Sequence, residues 1–280
     1  MRSILSRKIG IDLGTATVRI YVKGEGVVVN EPARGRARWN LDQLIGKAQA
    51  RPRLFGPEVA VSVPLAVTSG VRRAVTEAAI AAGARQVWLI DEPLAAAMGA
   101  GLPIDGQRAC AICEMGAATT EIAVFSLSGT VVERSVPVGG SALDQAIASS
   151  LGVDAATAEV IKIGVGSALR MEEPLRTLVE GVEVSSNDVA DAIAKPLRVL
   201  VEAVCEVVAQ TPPPLAADLR ERGLVLSGGG AQLRGLDRHL AAETGLPVTV
   251  ADEPQTSVVR GTGLALERFE VLKRNTGYMR

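Results

Sequence analysis

What this 280-residue chain has little of narrows its chemistry before any motif is considered. Aromatic residues make up 2% of it, too few for the stacking platforms on which single-stranded nucleic acid is held. Its 30 basic and 31 acidic residues leave a net charge of -1, so no field of one sign gathers nucleic acid, and no nucleic-acid partner is expected. Of three cysteines, Cys110 and Cys113 form a C-x2-C. A spacing of three along a strand points the two side chains to opposite faces, and no second pair completes a metal set, so buried core thiols are expected. The single histidine, His239, falls in a helical stretch and reads as a surface residue. Although 48% of the residues are hydrophobic, no apolar run approaches the roughly 18 residues of a membrane-spanning helix. The first residues, MRSILSRKIGIDLG, lack the apolar core of a secretory signal, and a cytoplasmic location is expected.

What is there is an internal repeat. KIGIDLGTATVRIYVKGEGVVVNEP reads as strand, Gly/Thr turn, strand, Gly-Glu-Gly turn, strand. About a hundred residues later ACAICEMGAATTEIAVFSLSGTVVERSVPVGG reads the same way, with Asp12 and Glu114 in equivalent places. Each antiparallel unit is followed by alternating helix and strand. VAVSVP is a strand, Thr68 or Ser69 caps a helix that Gly83 stops, QVWLI is a strand and EPLAAAMGAG a helix. The second half answers with the strand GLVLSGGG, a helix in AQLRGLDRHLAAETG, the strand PVTVA and the segment DEPQTSVVRGTGLALE. Two βββαβα units in tandem predict an α/β protein of two domains facing a ligand cleft. The expected limits are residues 1–106 for the first domain, 107–267 for the second and 268–280 for a tail. A helical insertion over about 147–222 has a first-half counterpart of only residues 33–58.

Chemistry is expected at the turns. In DLGTAT, Gly14 frees the backbone to turn, and Thr15, Ala16 and Thr17 are small enough for their amides to approach phosphate oxygens. Asp12, at the strand end, would face the water shell of a magnesium ion carried by those phosphates. A plain hairpin explains the same residues. Gly228, Gly229 and Gly230, between a strand and a helix start, suit an anion or a nucleotide edge, or simply close packing. Glu92, at a helix entrance, could orient an attacking water or only offset its own helix dipole. The two glycine-rich turns, one in each half, favour a nucleotide.

GIDLGTAT, IYVKGEGVVVNEPA, RRAVTEAAIAAGARQVWLIDEPLAAAMGAGLP, TTEIAVFSLSGTVVERSVPVGG and RGLVLSGGGAQLRGLDRHLAAETGLPV closely resemble the MreB family of bacterial actin homologues, over about Ile9 to Glu267. The resemblance implies the actin/Hsp70 ATPase fold around a nucleotide cleft, ATP or ADP with Mg2+, and filaments at the membrane that serve cell shape or cell-wall synthesis. It implies that Asp12, Gly14 and Thr15 form the first phosphate loop, Glu114 with Gly116, Ala117, Ala118 and Thr119 the second, and Gly228 to Gly230 the adenosine motif. Glu159 and Lys162 would border the purine, and Glu92 would be the catalytic acid, with Glu114 beside the phosphates. LFGPEVAVSVP resembles the family's membrane-insertion loop, which gives Leu54 and Phe55 that role. Arg34, Arg36, Arg38, Lys47, Arg51 and Arg53 stand nearby with Asp42 alone opposing them, a set suited to anionic lipid. A solvated loop is the other reading of this segment.

The chain departs from the family at four places. The second loop reads EMGAAT where the family has Asp-x-Gly-Gly-Gly-Thr, and alanines forced to positive φ would cost about 1 kcal/mol or more each. Thr17 replaces Asn, subdomain IB shrinks to residues 33–58, and Ser141 and Gly164 stand at acidic positions. These departures predict weakened nucleotide binding and hydrolysis, and co-assembly with a full-length relative or the cell-wall machinery at the inner membrane face. An active ATPase that forms its own filaments, or a small-molecule kinase on the same fold, are the alternatives.

Overall fold

In the computed structural model, residues 6–33, 41–48, 56–179, 181–268 and 272 are described. The chain divides into two units, the first of Met1–Gln107, Phe125–Thr130 and Gln255–Arg280, the second of Arg108–Val124 and Val131–Pro254.

The first unit is a five-stranded sheet with helices. Its elements are β1 (Lys8–Leu13), β2 (Thr17–Val22), β3 (Gly26–Pro32), α1 (Leu41–Ala48), β4 (Glu58–Val63), α2 (Ser69–Ala81), β5 (Gln86–Asp91) and α3 (Glu92–Gly99). Strand order is β3-β2-β1-β4-β5. The hairpin strands run antiparallel, whereas β4 and β5 return parallel to β1 because a helix carries the chain back each time. Ile9 and Ile11 of β1 and Ile20 and Val22 of β2 point to one face and close a core with Leu41, Ile45 and Ala79 from α1 and α2. Thr68 caps α2 by accepting from the Val71 amide, and Gly83, at φ +87°, ends the turn after it, as the sequence predicts.

The second unit repeats the sheet. Its elements begin with β6 (Cys110–Met115), β7 (Thr120–Ser126), β8 (Gly129–Val136), α4 (Gly140–Leu151) and α5 (Ala155–Val165). The hairpin β9 (Arg176–Val179) and β10 (Val182–Ser185) leads to α6 (Ser186–Gln210) and α7 (Pro213–Arg222). β11 (Leu224–Ser227), α8 (Leu236–Thr244) and β12 (Val248–Val250) complete the unit, in the order β8-β7-β6-β11-β12, the same as in the first sheet. Both β6 and β7 are buried along their whole length, and β7 buries Thr120, Glu121 and Ser126 among its apolar residues. Cys110 and Cys113 are buried there as expected, and burial pushes the Cys113 thiol up. The helical insertion is tied down at α6, where Ser185 and Asp188 form a reciprocal capping box. His239 lies half-buried on α8.

The last helix, α9 (Ser257–Glu267), follows the second unit in chain order but belongs to the first by its contacts. Glycines make this docking possible. A Cβ at Gly99 would strike the Ser257 carbonyl, one at Gly261 the Ala95 carbonyl, and one at Gly263 the Tyr21 ring. Gly99 and Gly261 thus let α3 and α9 cross backbone to backbone, while Gly263 seats α9 on the β1 and β2 face opposite the isoleucines.

Candidate functional site

Each unit carries one candidate loop at the C-terminal end of its first strand. In the first unit the chain leaves β1 at Leu13, turns through Gly14, Thr15 and Ala16, and returns as β2 at Thr17. A Cβ at Gly14 would lie 2.7 Å from the Thr17 carbonyl oxygen, so the turn closes only around glycine. Thr15 and Ala16 are exposed, and among the described residues their amides donate to no backbone group. Asp12 lies beneath the turn at 6% exposure. Sheet register surrounds it: β2 sets Arg19 directly opposite, and β4 brings Ser62 alongside. The Ser62 hydroxyl donates to Asp12 Oδ1 at 3.3 Å, and Arg19 Nη1 lies 3.6 Å from Oδ2, an ion pair just longer than a hydrogen bond. Burial pushes the Asp12 carboxyl up to about 6, against the lowering effects of the Arg19 charge, the Ser62 and Arg19 donors and the Gly14 amide.

In the second unit β6 ends at Met115, the turn runs through Gly116, Ala117, Ala118 and Thr119, and β7 begins at Thr120. Gly116 donates to the Thr119 carbonyl at 2.9 Å. The entry to α4 grips the carbonyl side of the turn, with Gly140 donating to the Gly116 carbonyl at 2.9 Å and Ser141 to that of Ala117 at 2.8 Å. A Cβ at Gly139 would lie 2.6 Å from the Ala117 carbonyl oxygen. With the carbonyls engaged, the amides of Ala117 and Ala118 donate to no backbone group among the described residues. The strain expected at these alanines is absent. Neither has positive φ, and among the described residues the sole non-glycine that does is Glu253, at φ 47°. The turn achieves its shape by capturing carbonyls at the α4 entrance, which needs no left-handed residue.

Glu114 is 6% exposed, like its counterpart Asp12. Its longer side chain packs beneath the glycines of the two neighbouring turns. A Cβ at Gly116 would stand 3.6 Å from Glu114 Oε2, and a Cβ at Gly228 would stand 2.5 Å from Oε1. Gly228, at φ +83°, donates to the Pro254 carbonyl at 2.8 Å, as does the Ser227 hydroxyl at 3.3 Å. The Ser-Gly-Gly-Gly turn is therefore anchored to Pro254. The helix expected to open there is instead a short 3-10 turn over Gly229–Gln232, and α8 starts at Leu236 after the left-handed Gly235. The axial dipole expected to favour an anion shrinks to that of a single turn, and backbone proximity remains.

Lys162 on α5 is nearly buried and bonds Asp144 Oδ1 of α4 at 2.6 Å and the Gly140 carbonyl at 3.2 Å. Burial raises the Asp144 carboxyl, Lys162 opposes this and Glu159 adds to it. Lys162 is thus brought to the second loop, whereas Glu159 is exposed one turn away on α5. Glu92 is the first residue of α3, half-buried. Leu54 and Phe55, with Arg34, Arg36, Arg38, Arg51 and Arg53, lie outside the described residues. Of the basic set Lys47 alone is described, and it donates to both carboxylate oxygens of Glu31 at 2.7 Å.

Asp12, the residue the sequence offers to a magnesium ion's water shell, accepts from Ser62 and Gly14 and has the Arg19 cation beside it. Among the described residues no group of three or more His, Cys, Asp and Glu comes together to hold a metal. No described helix is long and apolar enough to cross a membrane. Sequence reasoning missed Arg19, Ser62 and Asp144. Arg19 had a signal: closing the β1–β2 hairpin around Gly14 to Ala16 pairs position 12 with 19. Ser62 and Asp144 had none, since their roles arise from a parallel strand and a helix contact.

The family model for the MreB/Mbl protein matches residues 36–274. The cell shape-determining protein MreB of Escherichia coli K12 is 39% identical over an alignment of 333 positions, covering 96% of each chain. Those 333 positions exceed the 280 residues of this chain, so at least 53 hold residues of the relative alone. Among solved structures, MreB5 of Spiroplasma citri bound to ADP superposes with TM-score 0.87 at 24% identity, over 96% of this chain and 99% of that one. The same protein bound to AMPPNP superposes with TM-score 0.83 at 25% identity, over 97% and 99%. These likenesses give the paired sheets their name, the α/β fold of the actin/Hsp70 ATPases. A family match over most of the sequence, and identity at more than a third of positions along nearly its full length, make this chain a member of the MreB/Mbl family.

Proposed function

We propose that this protein is a nucleotide-binding cytoskeletal element of the actin type that serves cell shape from the cytoplasmic face of the membrane. The observation that carries the nucleotide reading is the repeated loop. In each unit a buried carboxylate closes a strand beneath a turn whose amides are uncommitted, the arrangement in which phosphate oxygens are received. That relatives of this fold were solved with ADP and AMPPNP supports the same ligand class here. Residues 14–17 and 116–119 would receive the phosphates, Gly228 to Gly230 the nucleoside, Glu159 and Lys162 the purine edge, and Glu92 would orient the attacking water.

Hydrolysis is proposed to be slow. Two methyl groups at Ala117 and Ala118 stand where glycines would let phosphate approach, and Glu114 is folded beneath Gly228. Co-assembly with a full-length relative is supported by the residues that relative has in excess, which the family resemblance implies belong to subdomain IB. Membrane attachment through Leu54 and Phe55 rests on the sequence resemblance.

Single-turnover ATP hydrolysis of the natural chain against Glu114→Asp with Ala117→Gly and Ala118→Gly tests the proposal. The triple variant is expected to turn over faster. Equal rates would make the natural chain an unimpaired ATPase. Electron microscopy with ATP, alone and mixed with a full-length relative, tests assembly, since long double protofilaments from the chain alone would remove the need for a partner.

A further inference from the structure

We propose that Arg19 is the resident counter-charge of the first phosphate loop, so that this chain takes a nucleoside di- or triphosphate with little help from a divalent cation. This rests on the nucleotide reading above and adds to it how the phosphate charge is balanced.

Arg19 is placed by the sheet. In the antiparallel register of β1 and β2 it is the residue directly opposite Asp12, and cross-strand neighbours on one face stand close enough for side chains to meet. Its side chain is 14% exposed and its guanidinium lies 3.6 Å from Asp12 Oδ2. Nε is buried and makes no hydrogen bond among the described residues. A guanidinium carries five N–H donors and keeps its charge at any physiological pH. One long ion pair leaves most of that donor capacity unused, at the end of the strand where the exposed turn of Thr15 and Ala16 begins.

The same contact sets a fixed cation beside the carboxylate from which a metal's water shell would be held. With Ser62 and Gly14 donating to it and Arg19 beside it, this carboxylate attracts a hydrated cation less than an unaccompanied one would. The arginine is not repeated in the other loop. Seven residues after Asp12 stands Arg19; seven after Glu114 stands Glu121, fully buried on β7. A positive charge thus accompanies the first carboxylate and a second acid follows the other.

The test is a calorimetric titration of the full chain with ATP and ADP, in excess Mg2+ and again in EDTA. The natural chain is expected to bind each nucleotide with dissociation constants within about threefold in the two media, charge-assisted bonds from Arg19 replacing those lost with the cation. Arg19→Leu is expected to bind at least about tenfold more weakly in EDTA than in Mg2+. Arg19→Lys keeps a cation and should remain close to the natural ratio. Ligand-free thermal unfolding of each variant establishes that it is folded, and the natural chain's own ratio stands whether or not Arg19→Leu folds. A natural chain that loses about tenfold or more on EDTA treatment overturns the inference and leaves the nucleotide reading intact. So does a folded Arg19→Leu whose ratio equals the natural one. Absence of binding in both media overturns the nucleotide reading and the inference with it.

Discussion

The two loops are copies of one design whose carboxylates are stabilised by different means. Asp12 is short, reaches no further than its own turn, and is held by side chains: a serine from the parallel strand and an arginine from the hairpin partner. Glu114 is one methylene longer and lies against backbone, with Gly116 above it and Gly228 beside it. The first arrangement leaves a buried charge that Arg19 offsets only in part, since burial still raises the Asp12 carboxyl. The second leaves volume to be accommodated, and glycine accommodates it. Side-chain length at one position therefore changes what the neighbouring strand must provide.

The largest effect that should separate the two is Gly228→Ala. The added Cβ would strike the Met115 carbonyl and Glu114 Oε1 at a φ of +83°, so a loss of about 3 kcal/mol in urea unfolding is expected. Adding Glu114→Asp should recover part of it by withdrawing the carboxylate. Recovery of nothing would show that the clash with Met115 alone sets the cost.

Next in size is a pH effect that belongs to the first loop. Asp12 has its carboxyl raised from 3.8 to about 6 on folding, so between those values the folded state holds more protons than the unfolded one. Its contribution to stability is fully present below pH 3.8, falls as pH rises through that window and is constant above it. A shift of this size corresponds to roughly 3 kcal/mol. The stability of Asp12→Asn minus that of the natural chain should therefore climb between pH 4 and 6 and then level off. A flat difference curve would mean that Asp12 titrates as it does in water.

Smaller is the contribution of the serine. Ser62→Ala removes a 3.3 Å hydrogen bond and is expected to cost about 1 kcal/mol while moving the Asp12 titration further up. Ser227→Ala removes a bond of the same length to the Pro254 carbonyl and should leave that titration where it is. The smallest effect concerns the alanines. Because neither Ala117 nor Ala118 has positive φ, glycine there relieves no strain, and each replacement should lower stability by about 0.5–1 kcal/mol through the freer unfolded chain. A gain in stability on thermal unfolding would restore the strained-loop idea.

Much of this was legible in the sequence. The repeat, the two strand-turn-strand units, the Thr68 cap and the end of α2 at Gly83 follow from alternation, capping and glycine chemistry, all of which act within a few residues. So did the buried cysteines. The resemblance to the MreB family was carried by local motifs, and the comparisons bear it out. The misread features were non-local. Glycine-rich sequence after β11 suggested an immediate helix, but anchoring of Gly228 to Pro254 takes up the chain first, so α8 starts at Leu236. Lys47 reads as one of a basic cluster, whereas β3 supplies Glu31 to pair with it.

The chain's composition and pattern by themselves determined an α/β protein built of two related units, with small-residue turns at the ends of their first strands, because helix and strand periodicity and turn chemistry depend on near neighbours. Only the tertiary structure decided that α9 belongs with the first unit, since this rests on the Gly261 backbone meeting Ala95. Only it decided that Ala117 and Ala118 are unstrained, because the α4 entrance captures the carbonyls of Gly116 and Ala117. And only it decided how Asp12 is held, since Arg19 and Ser62 reach it from two different strands, and which residues stand abreast in a sheet is fixed by register and packing.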